Sequence, residues 1–161
     1  MDKKWLGIFV ILIAGIACMY LVVDSSPTVG KAVTVADEMT ITLPSGFNLL
    51  KNKDNFVSLL DHQNHTANIT ILGVGHKALE KLESRQKAFF DDEDIKIQDK
   101  KKNGTAEIYH YKDLTTDKEY TMTYFKKDNR TIELKMDKYD NWEEDWSFLV
   151  DTIQHNFKQN K

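Results

Sequence analysis

Cysteine is almost absent from this chain of 161 residues, since Cys18 is the only one. Cys18 lies inside an apolar run near the N-terminus, so the rest of the chain has neither a disulfide of its own nor a cysteine nucleophile. Small secreted domains often need several disulfides. A region of about 125 residues can instead bury enough apolar surface without them. We therefore expect one folded domain that is stable without disulfides.

Arginine is also scarce, because Arg85 and Arg130 are the only two. The lysines are dispersed along the chain, and the formal net charge is −3. Proteins that bind nucleic acids concentrate positive charge on one face, and arginine is the residue best suited to phosphate recognition. The composition therefore predicts that nucleic acid is not a partner.

Signatures of catalysis are missing as well. The sequence contains no G-x-S-x-G motif, and Ser45 falls in a predicted turn before a strand. The stretch GVGH at 73–76 precedes a predicted helix, but it lacks the third glycine and the acidic ribose partner of a dinucleotide-binding loop. We predict no catalytic residue and no cofactor for this protein.

The strongest positive signal is an uncharged apolar run over residues 5–23, which follows Lys3 and Lys4. At about 1.5 Å per helical residue, a run of this length crosses a hydrocarbon core of roughly 30 Å. A soluble helix of this length would not be apolar on every face. The run is therefore a membrane segment or a signal sequence.

Three interpretations of this run are open. A cleaved secretory signal has a shorter apolar region, of about 7–15 residues, although Ala32 and Ala36 could each precede a cut. A lipoprotein signal would end at Cys18 in GIAC, but the apolar run continues beyond this cysteine. An uncleaved signal-anchor fits the length best.

The lysines at the N-terminus predict the orientation of this anchor. Because positive residues stay in the cytoplasm, residues 1–4 are predicted to be cytoplasmic and residues 5–23 to form a transmembrane helix. Residues 24–38, rich in small residues with Pro27 and Gly30, read as a tether. Residues 39–161 then form an extracytoplasmic domain at the cell membrane, in what we interpret as a prokaryotic envelope protein.

Hydrophobic periodicity predicts the elements of this domain. Alternation indicates strands, and a period near 3.6 residues indicates a helix over residues 76–90. Asn103-Gly104 is a strong hairpin signal, within a meander of four strands. The predicted strands lie in these stretches: 39–43, 47–50, 55–62, 67–74, 94–102, 105–114, 120–127 and 130–138.

The last segment predicts a second amphipathic helix. Its apolar stripe contains Trp142, Trp146, Leu149, Ile153 and Phe157. A helix with such a stripe must pack on another surface, and the meander provides one. The predicted fold class is therefore α+β, with a central antiparallel β-sheet that carries two packed helices, preceded by one N-terminal transmembrane helix.

The order of these elements resembles the PsbP/DcrB-like fold. The resemblance is carried by the opening TITLPSGF at 40–47, the middle helix, the meander and the closing helix WSFLVDTIQHNF at 146–157, and it covers residues 39–158. It implies an α/β/α sandwich that serves as a binding or assembly module more than as an enzyme. It implies no residue roles in this chain.

The stretch DHQNHTANIT at 61–70 offers the nearest approach to a metal motif. Asp61, His62 and His65 carry the ligand types that zinc or copper prefers, and His76 and His110 are the other candidates. The two neighbouring histidines fall between two predicted strands, where both side chains can face water. We expect an exposed connection without a metal at this place, followed by a strand whose Ile69 and Ile71 share one face.

Four candidate N-glycosylation sites follow the Asn-x-Ser/Thr rule: Asn64, Asn68, Asn103 and Asn129. Three fall at predicted turns, where a glycan can be attached, and Asn68 falls at the start of a strand. Asn and Thr are also common in turns and strands, so the pattern alone leaves open whether the sites are used.

Two functions remain open at this point. The first is a single-pass, membrane-anchored, non-catalytic module that binds or helps assemble an unknown envelope protein or ligand. The alternative is an envelope hydrolase that uses acidic residues near the end of the middle helix and in the stretch 140–145. A converging, partly buried pair of carboxylates would favour the enzyme, whereas scattered exposed acids favour the binding module.

Overall fold

The computed structural model describes residues 30–35, 39–127 and 130–159, of which residues 156–159 are described by backbone alone. The predicted cytoplasmic segment 1–4 and membrane helix 5–23 lie outside these residues. Within the described part of the chain, no helix is both long and apolar enough to cross a membrane.

The described residues form nine strands and two helices, in the order of five strands, a helix, four strands and a second helix. In chain order they are β1 (Ala32–Val35), β2 (Met39–Thr42), β3 (Asn48–Lys53), β4 (Phe56–Leu60), β5 (Thr66–Val74), α1 (His76–Phe90), β6 (Ile95–Asn103), β7 (Ala106–Asp113), β8 (Lys118–Lys127), β9 (Arg130–Asp137) and α2 (Trp142–Gln159).

Seven strands form one sheet in the order β3-β4-β5-β9-β8-β7-β6, and each neighbouring pair is antiparallel. β1 and β2 form a separate antiparallel hairpin. β9 returns between β5 and β8, so the chain joins the two halves of the sheet last. The predicted α+β class with a central antiparallel sheet and two helices is confirmed.

Two apolar clusters, one on each face of the sheet, produce three layers. Leu149, Val150 and Ile153 of α2 are buried with the β1–β2 hairpin against one face. Leu82 and Phe89 of α1 are buried against the opposite face. Because successive side chains of a strand point to opposite faces, β5, β7 and β8 each supply side chains to both clusters.

Strand alternation behaves as predicted. Ile69 and Ile71 belong to the α2 side, whereas Leu72 belongs to the α1 side. A register shift between Ile71 and Gly73 lies at this point in β5. Gly73 has a φ of 112°, a backbone conformation that costs glycine little because it has no Cβ. The adjacent residues Ile71 and Leu72 are both buried because both faces of the sheet are covered.

The folded region begins earlier than the sequence pattern indicates. The predicted tether over 24–38 contains β1, whose Val33 and Val35 are buried. β1 pairs with β2 over its whole length, and the Leu43 amide donates to the Lys31 carbonyl at 3.0 Å. Residues 24–38 resemble a linker in composition because they contain proline, glycine and small residues. Val33 and Val35 nevertheless pack in the core.

The strand directions define two ends of the molecule. We call the end where Lys31 leads into β1 the proximal end, and the opposite end the distal end. The strand registers bring five connections together at the proximal end, at residues 44–47, 61–65, 91–94, 114–117 and 138–141. The distal end carries the turn at 54–55, the start of α1 and the turn at 104–105.

Candidate functional site

An open cleft of about 540 Å³ lies at the proximal end, where the β4–β5 connection meets β8 and the segment after β9. Its lining is polar and carries both signs of charge. The lining residues are Gln63, Asn64, His65, Lys118, Glu119, Asp137 and Lys138. We call this the proximal cleft.

One wall of the proximal cleft is the β4–β5 connection, which Asp61 organises. Asp61 Oδ1 accepts hydrogen bonds from the amides of Gln63 and His65, both at 2.8 Å. Asp61 Oδ2 lies 2.8 Å from His65 Nδ1. Asn64 has a φ of 68°, a left-handed conformation that asparagine tolerates better than most residues. A short aspartate-centred turn therefore holds the His65 ring in place.

Tyr139 supports the same ring from the other side. The His65 and Tyr139 rings are stacked, with centroids 4.1 Å apart and an angle of 8° between the planes. The Tyr139 hydroxyl donates to Asp145 Oδ2 at 2.6 Å. Burial and this bond to a carboxylate raise the pKa of Tyr139. The loop, the segment after β9 and the first turn of α2 are thus joined through Asp61, His65, Tyr139 and Asp145.

Electrostatics keep Asp61 ionised. Burial alone would raise the pKa of Asp61, but the hydrogen bonds from the His65 ring and from the amides of His65 and Gln63 outweigh it, so its pKa lies below the ordinary value. A carboxylate that accepts several hydrogen bonds is stabilised in its charged form. Asp61 is therefore a fixed negative charge that orients the imidazole.

The remaining polar groups of the cleft are also held by partners. The Thr66 amide donates to Asp137 Oδ2 at 2.8 Å, and Lys138 Nζ donates to Glu119 Oε2 at 3.0 Å. An aspartate–histidine pair can orient a general base, but nucleophilic catalysis also needs a hydroxyl or thiol at the other ring nitrogen. The arrangement is suited to recognising a polar ligand or peptide through hydrogen bonds and charge.

The candidate metal ligands are not brought together. His62 and His65 share the β4–β5 connection, His62 being exposed and His65 half-buried. His76 begins α1 at the distal end, and His110 lies in β7. Across residues 30–35, 39–127 and 130–159, no group of three or more His, Cys, Asp or Glu residues is placed to hold a metal ion.

His110 instead packs against the first turn of α2. Its Nδ1 lies 3.2 Å from the Thr121 hydroxyl, and its ring meets Trp142 edge-on at 5.4 Å between centroids. Burial, followed by the positive charges of Lys138 and Lys101, lowers the pKa of His110. This histidine is therefore held neutral inside a contact between the sheet and a helix.

The candidate glycosylation sites differ in their surroundings. Asn64 and Asn103 are exposed at connections, whereas Asn68 lies inside β5 between paired strands and is half-buried. Asn129 lies outside the described residues. Of the three candidates that the structure describes, Asn64 and Asn103 are therefore more accessible than Asn68.

A second cleft, of about 230 Å³, lies between α1 and the β6–β7 hairpin. Beside it, Glu107 Oε2 accepts hydrogen bonds from the Tyr109 hydroxyl at 3.0 Å and from Gln86 Nε2 at 3.3 Å. Under the same helix, Arg85 donates to Glu133 from Nε at 2.9 Å and from Nη2 at 2.7 Å.

The sequence gives no local signal for this polar network. Arg85 and Glu133 are far apart in the chain, and the alternation of β9 assigns Glu133 only to the face opposite Ile132 and Leu134. A buried glutamate in a regular strand is a hint that an opposite charge lies nearby. Only the packing of α1 on the sheet identifies that partner.

The aromatic residues of β7 and β8 belong mainly to the core. Tyr109, Tyr111, Tyr124 and Phe125 are buried and Tyr120 is half-buried. Burial raises the pKa of Tyr111 and of Tyr124, as expected for phenols away from water.

Comparison of the chain with protein-family models and with curated proteins finds no match in either.

Proposed function

We propose that this protein is a single-pass membrane protein whose extracytoplasmic domain binds, or helps to assemble, another component of the cell envelope without catalysis. Residues 5–23 are the anchor in this proposal, and Lys3 and Lys4 keep the N-terminus in the cytoplasm. The finer description, a PsbP/DcrB-like module, belongs to the same proposal and rests on the resemblance of residues 39–158.

The arrangement of the acidic residues is the observation that favours binding over hydrolysis. Asp91, Asp92, Glu93 and Asp94 are exposed after α1, and Glu143 and Glu144 are exposed at the start of α2. The two helices pack on opposite faces of the sheet. Acid-catalysed hydrolysis needs two carboxyl groups that converge on one bond, so a pair divided by the sheet is unsuited to it.

Extraction from native membranes tests the anchor. The intact protein should need detergent for release, and its mass should include Met1 or Asp2. A soluble species that begins near Val33 or Asp37 would instead indicate a cleaved signal. A diacylglycerol mass on Cys18 would indicate a lipoprotein.

Amine-reactive crosslinking in the same membranes tests the binding role. The exposed lysines of the domain make it reactive, so a bound envelope component should give a discrete heavier species with defined stoichiometry. If only the chain without a crosslinked partner is found over a range of reagent concentrations, the proposed binding role is contradicted.

A further inference from the structure

Three apolar side chains are exposed around the start of β6 at the proximal end. Phe90 at the end of α1 is 47% exposed, Ile97 of β6 is 39% exposed, and Leu114 after β7 is 52% exposed. The half-buried Ile95 joins them. We call these four residues the Phe90 patch.

The sheet register and the ring contacts place the patch over a rigid base. The Phe90 ring meets the ring of the buried Tyr109 at 5.2 Å between centroids, and Ile97 is the register partner of the buried Tyr111. The Leu114 amide donates to the Asp94 carbonyl at 2.7 Å. An apolar surface that rests on a packed core and is surrounded by polar residues is typical of a protein interaction site.

The chain upstream of β1 determines which way this patch faces. This step rests on the proposed function, in which residues 5–23 cross the membrane. Residues 24–29 alone separate that run from Gly30, and six extended residues reach at most about 20 Å. The proximal end is therefore held close to the bilayer.

The distal end cannot take the same position. β8 has 10 residues, which corresponds to about 33 Å of extended strand. A surface at the distal end, such as that around Val74, therefore stands roughly one strand length farther from the membrane. The Phe90 patch can meet membrane-embedded proteins, and the distal end can meet them only where they project that far.

The charges around the patch indicate whether it binds lipid headgroups or a protein segment at the membrane. Asp91, Asp92, Glu93 and Asp94 connect Phe90 to Ile95 in the chain, and all four are exposed. Lys87, Lys96 and Lys100 are also exposed on α1 and β6, but they are dispersed, whereas the four acids are consecutive at the proximal border of the patch. Anionic lipid headgroups would repel such a rim. A protein segment that carries apolar and cationic side chains complements both the patch and its rim.

We infer that the Phe90 patch docks the domain onto the extracytoplasmic surface of an integral membrane protein, through a segment of that protein with apolar and cationic side chains. The apolar residues bury surface at the centre of this contact, and the four acids pair with cations at its border. The contact lies beside the bilayer because the short segment between the proposed membrane helix and β1 holds the proximal end there.

A site-specific photocrosslinker tests this docking in native membranes with the full chain. The probe replaces Ile97 in one variant and Val74 in the control variant, since Val74 is 54% exposed at the distal end. We expect the Ile97 probe to label a membrane protein about tenfold more than the Val74 probe does, which corresponds to about 1.4 kcal/mol. Mass spectrometry of the product should map the label to an extracytoplasmic segment that contains Lys or Arg.

A variant without the four acids is the second part of this test. Asp91→Asn, Asp92→Asn, Glu93→Gln and Asp94→Asn together should lower the Ile97 crosslink severalfold, because the charge pairs at the border are lost. The matched control is Glu143→Gln with Glu144→Gln, which removes acids at the proximal end from the opposite side of the sheet, and it should leave the yield unchanged. Thermal unfolding of each variant shows whether the domain remains folded.

The alternative occupants give distinct products. A crosslink to lipid, to a second copy of the chain or to residues 1–29 of the same chain would overturn the inference, as would equal labelling from Ile97 and Val74 or no labelling at all. A chain that is released from membranes without detergent shows that the anchor has failed. A chain that needs detergent yet gives one of these products shows that the docking alone has failed.

Discussion

At the residue scale, the buried polar groups are matched by partners that come from distant parts of the chain. Glu133 is 7% exposed and lies in the middle of β9. Arg85 meets it through two hydrogen bonds, and this contact raises the pKa of Arg85. Such a pair ties α1 to the centre of the sheet more specifically than apolar contacts do.

Removing one partner of this pair should destabilise the domain. Arg85→Met leaves the Glu133 carboxylate buried without a cation, and we expect a loss of about 2 kcal/mol in the free energy of unfolding. The double variant Arg85→Met with Glu133→Leu should recover most of that loss, because no unpaired charge remains. Urea unfolding at neutral pH measures both, and equal stability of Arg85→Met and the native domain would contradict the structural role of the pair.

His110 should make stability depend on pH. Its pKa is lowered in the folded state, so the unfolded chain binds a proton more readily. The contribution of neutral His110 is complete above the ordinary pKa of about 6.5 and is lost as pH falls from there toward the folded pKa. We expect the free energy of unfolding to decrease between pH 7.5 and 5.5.

The surroundings of His110 allow this decrease to be assigned. Trp142 and Glu143 face it from α2, Thr121 faces it from β8, and Asp99, Lys101 and Lys138 contribute the nearby charges. His110→Gln should remove the decrease, whereas the exposed His62→Gln should retain it. Trp142 fluorescence should follow the same titration, and an unchanged pH profile in His110→Gln would assign the effect to other groups.

At the scale of elements, turn chemistry and periodicity agree closely with the observed boundaries. The hairpin signal Asn103-Gly104 is correct in place, but Asn103 pairs with Ala106 and the two turn residues are Gly104 and Thr105. Gly104 has a φ of 57°, as the first position of a type II′ turn requires. The residue before α2 departs from the usual pattern. Asn141 is of a type common at an N-cap, yet it adopts a φ of 64° instead of the extended conformation usual at that position.

The start of the domain gives a prediction about β1. A truncated chain that begins at residue 30 should fold, because it retains the buried Val33 and Val35. A chain that begins at residue 39 exposes Met39 and Ile41 and should lose several kcal/mol of stability. Thermal unfolding of the two chains compares them, and equal melting temperatures would show that residues 24–38 are only a tether.

At the scale of the whole molecule, one sheet separates two cores that depend on each other. The larger cluster lies under α2 and the β1–β2 hairpin, and the smaller lies under α1. β5, β7 and β8 contribute buried side chains to both clusters, and β9 contributes to the larger one. A change in one core therefore alters strands that also form the other, and we expect unfolding in a single transition.

The closing helix offers a sharp test of this architecture. Leu149 is fully buried and its neighbour Phe148 is 42% exposed. Leu149→Ala should cost about 2–5 kcal/mol, and Phe148→Ala should change stability by less than about 0.5 kcal/mol. Deleting residues 142–161 should abolish cooperative unfolding, because the apolar face under α2 becomes exposed. A truncated chain that retains a sharp transition would contradict the three-layer fold.

The sequence by itself determined the strands and helices from residue 39 onward and most of their buried faces. Local periodicity is sufficient for this, because a strand or helix that buries one face must repeat apolar residues at its own period. The helix at 76–90, the buried Ile132, Leu134 and Met136 in β9 and the buried Leu149 and Ile153 in α2 all follow from it. The predicted membrane segment likewise depends on composition alone, and it lies outside the described residues.

Only the tertiary structure decided which residues meet. Several contacts join segments whose local sequences do not indicate that they are partners. These contacts are the insertion of β9 between β5 and β8, the pairing of β1 with β2, the contact of Arg85 with Glu133 and the stacking of His65 on Tyr139. The same holds for the Phe90 patch, since Phe90, Ile97 and Leu114 come from separate segments of the chain. The physical reason is that local patterns report the period of burial, whereas partners depend on how whole elements pack.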